Sequence, residues 1–320
     1  SNNEGWATAE TNKLLHFDGT TWSVAPQIFA DQPLELFFLD PNTGWLVGDK
    51  GRIWKYKDGI WQAQVSNATQ YLQGIFMQNE NAGWVVGKYE LVQRAGNVWL
   101  NHSSGANASD QHLSIDMIDA DNGWAVGDAG MILKKTNGNW QEVSSPTSKQ
   151  LTDVFFLAPD DGWIVGEQGT ILHYSGNNWQ TVPSPTVKRI WEVHMIAPDN
   201  GWAVGETGLI LHFNGNQWLQ VVSPTAQSLY HLYFYDADHG WAVGTGGIIL
   251  RCLNGVWSVF DQIPVVTNLY YVLQTTETDG WMAGDQNTLL RFDGTQWNIV
   301  PLAQNVPPPI FISLACPQPD

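Results

Sequence analysis

Eight Gly-Trp pairs recur along this chain at a nearly constant interval, and that period limits what the chain can fold into more than any other feature. Their tryptophans are Trp6, Trp45, Trp84, Trp124, Trp163, Trp202, Trp241 and Trp281, with successive gaps of 39 or 40 residues. A second tryptophan follows each at 15 or 16 residues, from Trp22 and Trp61 to Trp257 and Trp297. Only Trp54 and Trp191 fall outside this double register. A period near 40 made of short apolar runs and turns predicts an all-β, eight-bladed β-propeller of four-stranded antiparallel blades.

One unit shows why. Residues 151–157 form an apolar run of strand length, closed by the turn cluster Pro159-Asp160-Asp161-Gly162. Trp163–Gly166, Thr170–Tyr174 and Trp179–Val182 read as three more short strands, separated by Gly-containing turns. The glycine before each tryptophan predicts either positive φ or a close backbone approach. The paired tryptophans are expected to fill the wedge between neighbouring blades.

Eight such units use the whole length, so residues 1–320 read as a single propeller domain. The chain opens directly on a second strand, Gly5-Trp6-Ala7-Thr8, which leaves the first blade without an innermost strand. Residues 309–317 resemble the apolar run 154–159 and are expected to close that blade, leaving no open edge.

The motifs Gly-Trp-Ala-Val-Gly-Asp-Ala-Gly-Met-Ile-Leu (123–133) and Gly-Trp-Ala-Val-Gly-Glu-Thr-Gly-Leu-Ile-Leu (201–211) resemble repeats of the photosystem II assembly/stability factor propellers. Those belong to a broader group with sialidase-like, Asp-box-related blades. The resemblance covers most blades and implies the fold. Two departures stand out. The turn before the second tryptophan, as in Ser175-Gly176-Asn177-Asn178-Trp179, is shorter than an Asp-box. The resembled factors are seven-bladed with a basic patch, whereas this chain reads as eight-bladed and acidic. The five arginines (52, 94, 189, 251 and 291) fall mostly at a repeat position, which speaks against a sialidase set.

Acids outnumber Lys and Arg by 31 to 14, a formal charge of −17. Such a surface repels phosphate backbones, so nucleic acid is not an expected partner. Cys252 and Cys316 are too few for a disulfide framework and read as two free buried thiols. No apolar run reaches membrane length, and no signal peptide or transmembrane segment is evident. The expected setting is extracellular, periplasmic or cell-surface, and the expected state is a monomer.

A basic residue stands at one third-strand position in every unit: His16, Lys55, Arg94, Lys134, His173, His212, Arg251 and Arg291. Identical use in all eight predicts an architectural partner for the tryptophan rather than a ring of anion sites. Acids follow the second-strand glycine in most units, including Asp49, Glu167 and Glu206. First-strand carboxylates Glu35, Asp153 and Glu192 precede them by 14 residues, and a regular hairpin would oppose each pair. Opposed like charges are unfavourable unless a cation, a basic ligand or a nearby Arg or Lys neutralises them.

These six carboxylates, with His231 and Tyr271 on the innermost strands, are the candidate binding residues, forming an acidic funnel. No catalytic residue is assigned. No cofactor is expected, apart from a candidate Ca²⁺ at the acidic face, and no spacing matches an EF-hand or a zinc site. The chain therefore reads as a non-enzymatic binding scaffold for a protein partner with a basic patch. A glycan-binding lectin using exposed aromatics is one alternative. A hydrolase or lyase working with Asp153, Glu192 and His231 is another.

Removing the residues after Pro308 should expose the edge of the first blade and lower the melting temperature sharply. An unchanged melt would show that the last segment completes nothing.

Overall fold

The structure is a computed structural model. It describes residues 5–9, 12–26, 29–88, 90–102, 112–119, 122–136, 139–260, 265–286, 288–300 and 311–315. Eight four-stranded antiparallel sheets account for its regular structure, each with strands in sequential order from the inner to the outer position. They are numbered here as blades 1 to 8 by their Gly-Trp pairs, Trp6 to Trp281. The fold class is the expected one, an all-β propeller of eight blades.

Blade 5 matches the expected boundaries closely: strands Leu151–Ala158, Asp161–Gly166, Ile171–Ser175 and Asn178–Thr181. Blade 1 has its strands from two ends of the chain. Phe311–Ala315 pairs antiparallel with Gly5–Ala9, with Trp6 opposite Ala315 and Ala7 opposite Leu314. The rest of the segment 309–317 lies outside the described residues.

The chain divides into two compact units. One holds residues 1–112, 283–290 and 299–320; the other holds 113–282 and 291–298. Each has its own buried apolar clusters. In the first, Trp6, Leu36, Leu46, Tyr56 and Trp61 pack together. In the second, Trp163, Val165, Val193, Ala203 and Trp218 form one such cluster.

The double register of tryptophans is explained by contacts between consecutive blades. The second-strand ring of one blade meets the outer-strand ring of the next nearly edge-on. Trp6–Trp61, Trp124–Trp179, Trp163–Trp218, Trp202–Trp257 and Trp241–Trp297 have centroids 5.2–5.6 Å apart at 77–88°. Such T-shaped pairs each add about 0.5–1.5 kcal/mol beyond the area they bury. The wedge-filling role expected of both rings is therefore observed.

The glycine before each tryptophan answers to close approach, not to positive φ. An inner-strand Phe or Met lies flat against it. A Cβ on Gly44, Gly83, Gly123, Gly162, Gly201 or Gly240 would sit 2.2–2.6 Å from Phe38, Met77, Met117, Phe156, Met195 or Phe234 respectively. The same Phe rings stack on the preceding blade's tryptophan, as Phe156 does on Trp124 at 5.5 Å and 6°. Gly, Trp and Phe/Met thus form one packing unit.

The eight basic third-strand residues also have the architectural role. His16, His173 and His212 stack on Trp6, Trp163 and Trp202 at 4.1–4.3 Å. Lys55, Lys134, Arg251 and Arg291 lie 5.0–5.5 Å from the ring centres of Trp45, Trp124, Trp241 and Trp281. Arg94 lies over Trp99 of its own blade at 5.3 Å. Cys252 is a free, buried thiol, pushed up to about 11 by burial; Cys316 lies outside the described residues.

Gly162→Ala should destabilise the protein by about 1–3 kcal/mol through overpacking against Phe156, read by denaturant unfolding. Adding Phe156→Leu should recover part of the loss. Additive losses would mean that the glycine serves something other than this contact.

Candidate functional site

The innermost strand of each blade has a free edge, and its outward-facing N–H groups need acceptors. In blades 5 to 7 such acceptors come from the preceding blade's inner strand. Phe156 N–H donates to Asp116 Oδ2 at 2.6 Å, Val193 N–H to Asp153 Oδ2 at 3.0 Å, and Leu232 N–H to Glu192 Oε2 at 2.7 Å. Ser114 Oγ accepts from Val154 N–H at 3.3 Å and donates to Asp153 Oδ1 at 2.9 Å. The chain thus carries a polar relay from blade to blade, one step per repeat.

Asp153, Glu192, His231 and Tyr271 occupy the same repeat position, ten residues before the blade's Gly-Trp tryptophan. His231 continues the relay: its Nε2 lies 3.4 Å from Glu192 Oε1, and its ring lies 4.2 Å from that of Tyr271. Together with Asp116, His194 and Tyr233, these side chains line a cavity of about 390 Å³.

Burial sets the charge of this cavity. It raises Asp153 from the usual 3.8 to about 6, and it carries Glu192 well above the ordinary carboxylate range, helped by the nearby Asp153 charge. Asp116 is raised as well, again mainly by burial. The same burial lowers His194 to about 4 and His231 to about 3, so both imidazoles are neutral at pH 7. The carboxyls of this cavity are thus harder to ionise than free ones, Glu192 most of all, beside two neutral imidazoles.

The remaining sequence candidates lie elsewhere. Asp49, Glu167 and Glu206 open short 3-10 turns, Asp49–Gly51, Glu167–Gly169 and Glu206–Gly208, and none lines the cavity. They do not oppose the inner carboxylates. Glu35, Asp153 and Glu192 pair instead with Val47, Val165 and Val204, in the register set at the hairpin end, where Asp40 meets Thr43, Ala158 meets Asp161 and Ala197 meets Asn200 with a bulge beside each pair. The turn acids have local partners: Glu167 is paired with Arg189, whose guanidinium lies 4.5 Å over Trp191. Glu206 Oε2 accepts from Arg189 N–H at 3.3 Å. Asp49 is raised by burial and by the neighbouring Asp31, which itself binds Lys50 and Arg52. Glu35 belongs to the other compact unit, in Pro33–Asp40 of blade 2.

Among the described residues, no group of three or more His, Cys, Asp or Glu is placed to hold a metal ion. No helix among them is long and apolar enough to cross a membrane. The repeat tryptophans other than the partly buried Trp140 are buried, so they offer no exposed ring for stacking a sugar. The connection Ser184-Pro185-Thr186, after the outer strand of blade 5, is fitted against that blade. A Cβ on Gly169, at φ +71, would lie 1.9 Å from Thr186 O. Asp116, His194 and Tyr233 complete the cavity; their irregularity among simpler repeat neighbours was the legible signal.

Residues 134–221 match the family model for the photosynthesis system II assembly factor YCF48. Solved structures give the same fold over most of the chain. A structure of YCF48 bound to D1 peptide is 19% identical, with a TM-score of 0.63 over 82% of this chain and 91% of that one. YCF48 from Cyanidioschyzon merolae is also 19% identical, with a TM-score of 0.62 over 84% and 95%. The computationally designed Ika8 protein is 11% identical, with a TM-score of 0.70 over 85% and 87%. No curated protein matches.

Raised carboxyls make stability fall as pH rises. The folded state holds the Asp153 proton after the unfolded chain has lost it, so this contribution is complete below 3.8 and disappears through about 6. Asp153→Asn should flatten the loss of unfolding free energy between pH 4 and 7, by up to about 3 kcal/mol at roughly 1.4 per unit. An identical pH slope in the variant would place Asp153 in water.

The chain is a β-propeller built of repeats that resemble those of the photosystem II assembly factor.

Proposed function

We propose that this propeller is a non-enzymatic binding module that takes a basic segment of a protein partner at the inner-strand cavity of blades 4 to 8. The observation that carries this reading is the cavity itself. Its lining varies from blade to blade, with Asp153, Glu192, His231 and Tyr271 standing at one repeat position and the first two accepting a backbone N–H of the next blade. The similar YCF48 structure with a D1 peptide supports a peptide ligand for this kind of propeller.

The protonation of the site gives the binding a signature. A Lys or Arg side chain entering the cavity would favour ionised Asp153 and Glu192, against the upward shift that burial gives both, so binding draws off a proton held there, from Glu192 above all. The empty cavity avoids facing two buried charges, and the occupied one gains a charge-assisted pair. The net charge of −17 adds long-range attraction for a basic partner.

A peptide array with lysine and arginine placed at each position should yield ligands, whose binding is then measured by calorimetry at pH 6 and 8. Binding should release protons, strengthen with pH, and weaken by at least about tenfold in a variant carrying Asp153→Asn and Glu192→Gln. Preference for acidic or uncharged peptides, or binding indifferent to the double substitution, would overturn the proposal.

A further inference from the structure

Blade 7 breaks the repeat twice at one spot, and a second cavity opens there. The first break concerns the inner-strand residue that stacks against the Gly-Trp unit. Six blades use Phe38, Met77, Met117, Phe156, Met195 or Phe234 for it. Blade 8 instead supplies Gln274, buried, whose Oε1 accepts from the indole N–H of Trp241 at 2.8 Å. Its own amide is held by Thr276 O at 2.9 Å. A planar amide replaces a ring or a thioether beside Trp241, whose indole stays buried against Phe260, Phe292 and Trp297.

The second break concerns the partner of the basic third-strand residue. Elsewhere that residue finds an oxygen: Lys55 reaches Glu80 at 3.1 Å, Lys134 reaches Tyr174 at 2.8 Å, and His173 reaches Asp161 at 2.8 Å. His212 meets Asn200 at 3.0 Å, and Arg291 meets Asp279 at 2.9 Å. In blade 7 the residue two before the tryptophan is His239, which is bound back onto Asp236 at 2.8 Å. Arg251 keeps its place over Trp241 at 5.5 Å, and among the described residues its guanidinium has no hydrogen-bond or ion-pair partner.

The two breaks meet in a cavity of about 280 Å³, lined by Arg251 and Trp241 with Tyr235, His239, Gln274 and Phe292. We infer that this cavity is a binding site for a small organic monocarboxylate, held by the Arg251 guanidinium with its apolar part against Tyr235 and Phe292. The planar guanidinium fork matches a carboxylate bidentately, and the partly enclosed, aromatic-walled setting strengthens that pair. The exposed Glu277 at the rim disfavours phosphate and other multiply charged anions. Asp236 is bound to His239 at 2.8 Å, and among the described residues no carboxylate is bound to Arg251.

The test uses benzoate as the probe, read by saturation-transfer NMR and calorimetry at pH 8, with benzylamine and inorganic phosphate as charge controls. Two substitutions restore what other blades already use and so preserve the fold. Arg251→His installs the residue of blades 1, 5 and 6, and Gln274→Met installs that of blades 3, 4 and 6. Melting curves confirm that both fold. Saturable benzoate binding is expected, with little for either control. Each substitution should weaken it by about tenfold or more, the first by removing the cation and the second by filling the cavity. Glu277→Gln should strengthen it. Absence of saturable benzoate binding, or binding that survives Arg251→His, would overturn the inference.

Discussion

The fold depends on a contact made between blades rather than within them. A glycine without a side chain lets an inner-strand Phe or Met lie flat on the second strand. That ring or thioether in turn supports the preceding blade's tryptophan, which meets the next outer-strand tryptophan edge-on. Remove the glycine and the Phe is displaced; remove the Phe and the tryptophan loses its floor. Because each element spans two blades, a substitution in one unit is felt by its neighbour. A sheet of four short strands has too little apolar surface to stand alone, so this shared aromatic lock supplies what the ladder hydrogen bonds do not.

The inner edge solves a different problem with polar groups. Backbone N–H groups there face away from the sheet, and Asp116, Asp153 and Glu192 reach across to meet them. The same side chains then line the cavity, so architecture and recognition share one set of carboxyls. Burial raises all three above the ordinary carboxylate range, which lessens the repulsion that three close anions would bring. A cationic ligand would change that balance locally without moving a strand.

The architecture was legible because a large aromatic residue at a fixed interval has one main use, and Trp163, Trp179 and their equivalents have it. The basic partners His173 and Arg251 were legible for the same reason: eight uses of one position imply one role. The register at the inner hairpin was not. The turn position and the bulge between Phe156 and Ala158 leave no mark in composition, so Asp153 was expected opposite Glu167 and instead pairs with Val165. Nor could sequence tell that burial would raise Glu192 and Asp153, since that depends on neighbours from the adjoining blade. The departure at Gln274 was visible in the alignment of repeats, but its meaning needed the contact with Trp241.

The claim at the centre of this account is that burial makes the inner carboxyls hold their protons above the ordinary carboxylate range. Carbon-13 NMR of selectively labelled side-chain carboxyls, followed from pH 3 to 9 in the folded protein, reads this directly. The account predicts an Asp153 midpoint near 6 and a Glu192 midpoint well above the ordinary carboxylate range. Midpoints near 4 for both would contradict it, and would turn the cavity back into an open, fully charged acidic mouth.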